Sequence, residues 1–197
     1  MSILEVKIDK RQIEKIQREL AGVKGGMAKA MPAAINKTLT TARAIVARRI
    51  KEHVNLKIGT IKKHMSKSKA TRSRFSGKIF TDRSAAIRIP LIYYGAKQLK
   101  SGDVSYKVSN AEGRKKIQYD GQRNPVFIAT MPNGKRGVFK RVGPGKRLPL
   151  TELKGPSLTR AANTASKQIF KRLRREVNRV FMQNLTSQVD RLLTRKK

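Results

Sequence analysis

SLTRAANTASKQIFKRLRREVNRVFMQNLTSQVDRLL, residues 157–193, is the stretch on which the fold class turns. Leu158, Ala162, Ala165, Ile169, Leu173, Val177, Val180, Leu185, Val189 and Leu192 recur at helical spacing and predict one long helix with an apolar seam. Lys167, Lys171, Arg174, Arg175 and Arg179 load its flanks. At the usual rise such a helix is about 50 Å long if unbroken, more than a small domain covers alone. Two readings stand. Either Leu173, Val177, Val180, Leu185 and Val189 pack on a neighbouring subunit, or this is an ordinary core helix with a frayed basic tail.

Working back from that helix, the N-terminal half predicts helices too. Ser2 to Ile8 reads as a short strand or as the lead into a helix. Asp9 is a suitable N-cap for a first helix to about Leu20, with Ile13, Ile16 and Leu20 on one face, and Gly22, Gly25 and Gly26 stop it. A second helix is expected over 27–52, with Pro32 near its first turn and Met31, Ile35, Leu39, Ala42, Ile45 or Val46, and Ile50 on one stripe. After Asn55, Leu56, Ile58, Ile61 and Met65 allow a short helix, and the Lys, Ser and Arg residues that follow read as a flexible arm.

Strand chemistry dominates residues 78–154. Lys78–Thr81, Ala86–Tyr94, Val104–Val108, Ile117–Tyr119, Val126–Met131 and Gly137–Val142 carry β-branched or aromatic residues between turn signals. Within MPNGKRGVF, Asn133-Gly134 supplies a hairpin turn. The expected fold class is α+β: long N-terminal and C-terminal helices flank a small antiparallel sheet of about four to six strands. The whole chain, 1–197, reads as a single domain, with 53–81 as its basic segment.

Charge narrows the function. Lys and Arg number 47 against 12 Asp and Glu, a formal charge of +35. Confined to a body of about 16 Å radius of gyration, this charge repels itself and favours a polyanion or acidic protein as partner. Between His53 and Thr81 there is no acid, and between Gly121 and Thr151 again none. The residues chosen as contacts to nucleic acid or an acidic partner are therefore Lys62, Lys63, Lys67, Lys69, Arg72 and Arg74 in the first block. In the second they are Lys135, Arg136, Lys140, Arg141, Lys146 and Arg147. Such contacts position a partner without reading base sequence.

No catalytic group emerges. Cysteine and Trp are absent, and His53 and His64 stand without an HxxxH or HExxH pattern, so no metal or cofactor is expected. Gly143-Pro144-Gly145-Lys146-Arg147 lacks the spacing of a phosphate loop. The start MSILEVKIDK has Glu5 and Asp9 in place of an apolar centre, and no run approaches the length of a membrane span, so neither secretion nor a membrane partner is expected.

The run PVFIATMPNGKRGVFKRVGPGKRLPLTELKGPSLTRA, residues 125–161, carries Phe127, the Met131/Gly134 turn, Gly137-Val138-Phe139 with Arg141, Leu148-Pro149-Leu150 and Gly155-Pro156-Ser157. With the upstream helix AMPAAINKTLTTARAIVARRI and its Ala34-Ile35-Asn36 step, it resembles the phage minor tail protein Z family, the tail completion proteins of long-tailed bacteriophages. The likeness runs from about Met27 to Val189. It implies a non-enzymatic virion protein, assembled from the host cytoplasm, that completes the head-proximal end of the tail and helps connect it with the neck near the DNA path. It also implies a homo-oligomeric ring, a hexamer by the symmetry of the tail tube. The implied neighbours are the tail terminator, tail tube and neck or head-completion proteins, with phage DNA or the tape-measure protein as further partners. The alternative is a basic RNA-binding structural protein of ribosomal type. A DNA-processing enzyme acting through Asp120 or Glu152 ranks third, because no carboxylate cluster accompanies them.

Overall fold

The computed structural model describes residues 2–6, 10–81, 87–119, 125–142, 149–162 and 167–194. It is a mixed helix and sheet protein that divides into two compact units.

The first unit comprises Met1–Arg48, Lys62–Arg83 and Ser166–Lys197. Strand β1 (Ser2–Val6) and helix α1 (Lys10–Glu19) lead to α2 (Gly26–His53); Asp9, the expected N-cap, lies outside the described residues. The chain reverses between the helices through Gly25, whose φ of 66° suits glycine, and the Gly26 N–H donates to the Val23 carbonyl at 2.8 Å. Along α2, Met31, Ala34, Ile35, Leu39, Ala42 and Val46 are buried, the stripe that the 3.6-residue period dictates. Pro32 sits inside the helix instead of in its first turn, so the helix forgoes one backbone bond there and continues.

Helix α3 (Ile58–Lys63) is followed by a hairpin, β2 (Met65–Ser68) and β3 (Gly77–Thr81). Strand β3 lies between β1 and β2, antiparallel to both. The expected flexible arm is thus partly a strand. Gly77 explains how the sheet reaches α2: a Cβ there would stand 2.6 Å from Leu39 Cδ1 and 2.9 Å from Ile35 Cγ2. Near the chain's end, α5 (Lys167–Thr194) completes the unit. Thr38 and Asn184 join α2 to α5 inside it: Asn184 Nδ2 donates to Thr38 Oγ1 at 3.1 Å, and that hydroxyl donates to the Ala34 carbonyl at 2.8 Å.

The second unit comprises Arg49–Ile61 and Ser84–Ala165. Strands β4 (Lys97–Gln98), β5 (Val104–Tyr106) and β6 (Lys115–Ile117) form one antiparallel sheet; β7 (Val126–Thr130), β8 (Arg136–Arg141) and β9 (Leu150–Glu152) form another. The described strands therefore make three three-stranded sheets where one small sheet was expected.

Ala86–Tyr94, read as a strand, departs from that reading. Ala86 lies outside the described residues, Ile87 to Ile89 are not in a strand, Pro90 makes one bridge to Lys154, and a 3-10 helix follows at Leu91–Tyr94, ended by Gly95 with φ 65°. Proline offers no ladder donor and presets φ for a turn. Tyr94 is fully buried, its hydroxyl donating to the Pro156 carbonyl at 2.9 Å, and burial pushes the phenol pKa well above its ordinary value.

The single helix expected over 157–193 corresponds to α4 (Leu158–Ala162) and α5, and residues 163–166 lie outside the described ones.

Candidate functional site

The two basic blocks meet different fates. In the first, Lys62 and Lys63 end α3, Lys67 lies on β2, and Lys69, Arg72 and Arg74 occupy the loop that joins β2 to β3. The loop is built, not slack. The Thr71 N–H donates to the Arg74 carbonyl at 3.0 Å and the Arg74 N–H returns to Thr71 at 3.2 Å. Arg74 also donates from its guanidinium to Ser68 Oγ at 3.3 Å and the Lys69 carbonyl at 3.1 Å.

Helix α2 fixes this loop from below. Asn36 grips the backbone of Ala70 with both ends of its amide, at 3.1 and 2.9 Å, and Lys67 Nζ donates to Thr40 Oγ1 at 3.1 Å. Arg43 donates to the Lys62 carbonyl, which steadies the end of α3. The result is a hairpin tip on which Lys69, Thr71, Arg72, Ser73 and Arg74 are exposed while Ala70 is buried. Asn36 and Thr40 went unrecognised as anchors. The available signal was an asparagine in the middle of a helix, where it is a poor helix former and calls for a partner.

The second block does not converge in the same way. Strand alternation puts Arg136 and Lys140 on one face of β8 and Arg141 on the other, while Lys135 ends the turn just before the strand. Lys135 Nζ pairs with Glu152 at 2.7 Å, and the Arg141 guanidinium stands over the Phe127 ring, 5.8 Å from its centroid, in a cation–π contact. Lys135 and Arg141 are thus engaged inside their own sheet. Lys146 and Arg147 lie outside the described residues, as does Asp120.

The residues of the conspicuous run at 125–161 have structural duties. Gly137 accommodates the Phe139 ring, which would lie 2.9 Å from a Cβ there. Gly155 makes the same concession to the Tyr94 ring, at 2.7 Å, Pro156 accepts the Tyr94 hydroxyl, and Ser157 Oγ accepts the Arg160 N–H at 3.3 Å to cap α4. The turn at Asn133-Gly134 closes a three-residue hairpin loop: Gly134 has φ 75°, and the Met131 N–H donates to the Lys135 carbonyl at 2.9 Å.

On α5, the residues expected to meet another subunit are mostly covered. Leu173, Val177, Leu185 and Val189 are 2%, 1%, 2% and 4% exposed within the chain, and Val180 is half-buried. Phe181 and Asn184, not singled out from the sequence, share the buried side. Apolar surface remains at Met182 and Leu193, each 40% exposed, which line a groove of about 300 Å³ between α1 and α5 with Ile16.

Among the described residues no group of three or more His, Asp and Glu is placed to hold a metal ion, and no helix is long and apolar enough to cross a membrane. The sequence profile of one family, described as prophage minor tail protein Z (GPZ), matches residues 11–195. No curated protein and no solved structure matches the chain.

Proposed function

The chain belongs to the prophage minor tail protein Z family, a phage tail structural family, and from that membership we propose that it completes the head-proximal end of the tail and helps join it to the neck near the DNA path. The match over 11–195 carries this reading, because it takes in both terminal helices and every described sheet strand except β1. The chain works as an architectural, non-enzymatic piece. Its placement in the virion follows assembly in the host cytoplasm.

The proposed assembly is a homo-oligomeric ring, a hexamer matching the tail tube, in contact with the tail terminator, tail tube and neck or head-completion proteins. A formal charge of +35 supports such a setting, since self-repulsion is relieved only by what surrounds the subunit. With Leu173, Val177, Leu185 and Val189 already covered, the copy-to-copy contact on α5 falls to the edge formed by Met182 and Leu193, the half-buried Val180 lying on the opposite edge of the covered face. The basic blocks then serve phage DNA, the tape-measure protein or other acidic neighbours. The ribosomal alternative has no observation in its favour beyond charge.

Deletion of the gene tests the proposal. Particles lacking the protein should carry tails that fail to deliver DNA, and supplying the protein should restore infectivity. Normal infectivity without it contradicts the reading.

A further inference from the structure

We infer that the tip of the β2–β3 hairpin, centred on Lys69 and Arg72, is a contact for the phosphate backbone of duplex DNA. The inference rests on the proposed position beside the DNA path for its choice of DNA over RNA. Its physical basis is the tip itself.

Lys69 and Arg72 are exposed, and among the described residues their side chains make no hydrogen bond or ion pair. No acid occurs between His53 and Thr81 to neutralise them in sequence. A cation left unpaired in a chain this positive raises the energy of the free subunit, and a phosphate lowers it while releasing counterions.

The tip fits phosphates better than a protein surface. Protein interfaces centre on apolar or aromatic anchors, but here the exposed residues are Lys69, Thr71, Arg72, Ser73 and Arg74; of the loop's two apolar residues, Ala70 is buried and Phe75, next to β3, is half-buried. Single strands are bound largely by stacking bases on exposed aromatic rings, and none of the exposed tip residues is aromatic, the loop's one ring, Phe75, being half-buried beside β3. What it presents is hydroxyls and cations on a held backbone, the groups that contact phosphate oxygens and carry no base readout. The grip of Asn36 on Ala70 and the inward bonds of Arg74 order the loop before it binds, so little ordering entropy opposes contact.

The test compares two doubly substituted full-length proteins that lose the same charge. Lys69→Gln/Arg72→Gln alters the tip, and Arg175→Gln/Arg179→Gln alters exposed positions on α5. Binding to duplexes of about 30 base pairs, in two unrelated sequences, is followed by fluorescence anisotropy from about 50 to 200 mM salt. The tip variant should lower the slope of log K against log salt by about 2 for both sequences, at about one unit per phosphate contact. The α5 variant should keep the wild-type slope. Equal slopes for the two variants, or a wild-type slope for the tip variant, overturn the inference. A loss of polyglutamate binding as large as the loss of duplex binding makes the tip a surface for acidic protein and overturns it too. These measurements need only purified protein, so their failure leaves the tail role standing, whereas normal infectivity after deletion removes that role and leaves the measured slopes intact.

Discussion

The side-chain amide of Asn36 and the peptide group of Ala70 exchange two hydrogen bonds, so a helix side chain pairs with the hairpin loop as a neighbouring strand would. This relationship turns a run of Lys, Ser and Arg, read as a loose arm, into a fixed projection. It ties the position of the basic tip to the apolar stripe of α2 one residue away, where Ile35 packs against the sheet at Gly77.

Asn36→Ala leaves the buried Ala70 peptide without partners. Loss of stability should be about 1–3 kcal/mol, the cost of stranding buried backbone groups. Chemical denaturation checks the magnitude, and amide exchange at Ala70 should speed up well beyond that at Ile79 on the adjacent strand. Unchanged exchange at Ala70 would show that the loop is held by something else.

The buried Tyr94 gives the protein an alkaline limit. Its folded pKa is raised above the ordinary value of 10.0 by burial, so the neutral phenol is favoured in the folded state. A raised folded pKa means that this stabilisation is complete below pH 10.0 and is lost as pH rises towards the folded value. The denaturation midpoint of the native protein should therefore fall more steeply above that pH than the midpoint of Tyr94→Phe. At neutral pH the variant should be less stable by about 1 kcal/mol, because the Pro156 carbonyl loses its donor. Parallel curves for the two proteins above pH 10.0 would remove Tyr94 as the cause.

Thr38 and Asn184 test whether α5 is seated on α2 by a specific polar contact. A double-substitution cycle with Thr38→Val and Asn184→Ala should give a coupling energy of about 0.5–3 kcal/mol, as expected for direct partners. Additive losses would mean that apolar packing alone sets how these helices meet.

How much of this was legible from the residues depends on the range of the cause. The MPNG turn was readable because the glycine requirement is local, and Gly134 with φ 75° meets it. The long apolar stripes of α2 and α5 were readable from period alone. Strand β2 was not, because Met65-Ser66-Lys67-Ser68 lacks strand-favouring chemistry and is held by pairing with β3 and by α2. Periodicity also says that Leu173, Val177, Leu185 and Val189 share a face, but not whether this chain or another covers it; their burial supplies that answer. The motif Gly155-Pro156-Ser157 was visible, while its reason, a tyrosine 62 positions away in sequence at Tyr94, was not. The two basic blocks looked alike as charge counts. Only their contacts separate them: Lys135 pairs with Glu152 and Arg141 stands over Phe127, while Lys69 and Arg72 are exposed in the β2–β3 loop.

The proposed contact between copies predicts a division between assembly and folding. Met182→Glu with Leu193→Glu adds charge at exposed positions, so thermal stability should change by no more than about 0.5 kcal/mol. Self-association, followed by native mass spectrometry, should be lost. Intact rings from this variant would move the contact elsewhere.

The most direct measurement is electron microscopy of purified particles in which this protein carries a small internal or terminal label. The account predicts ring-shaped density with the label at the junction of tail and neck. Label at the far tip of the tail, or particles complete and infective with none of the protein in them, would contradict it.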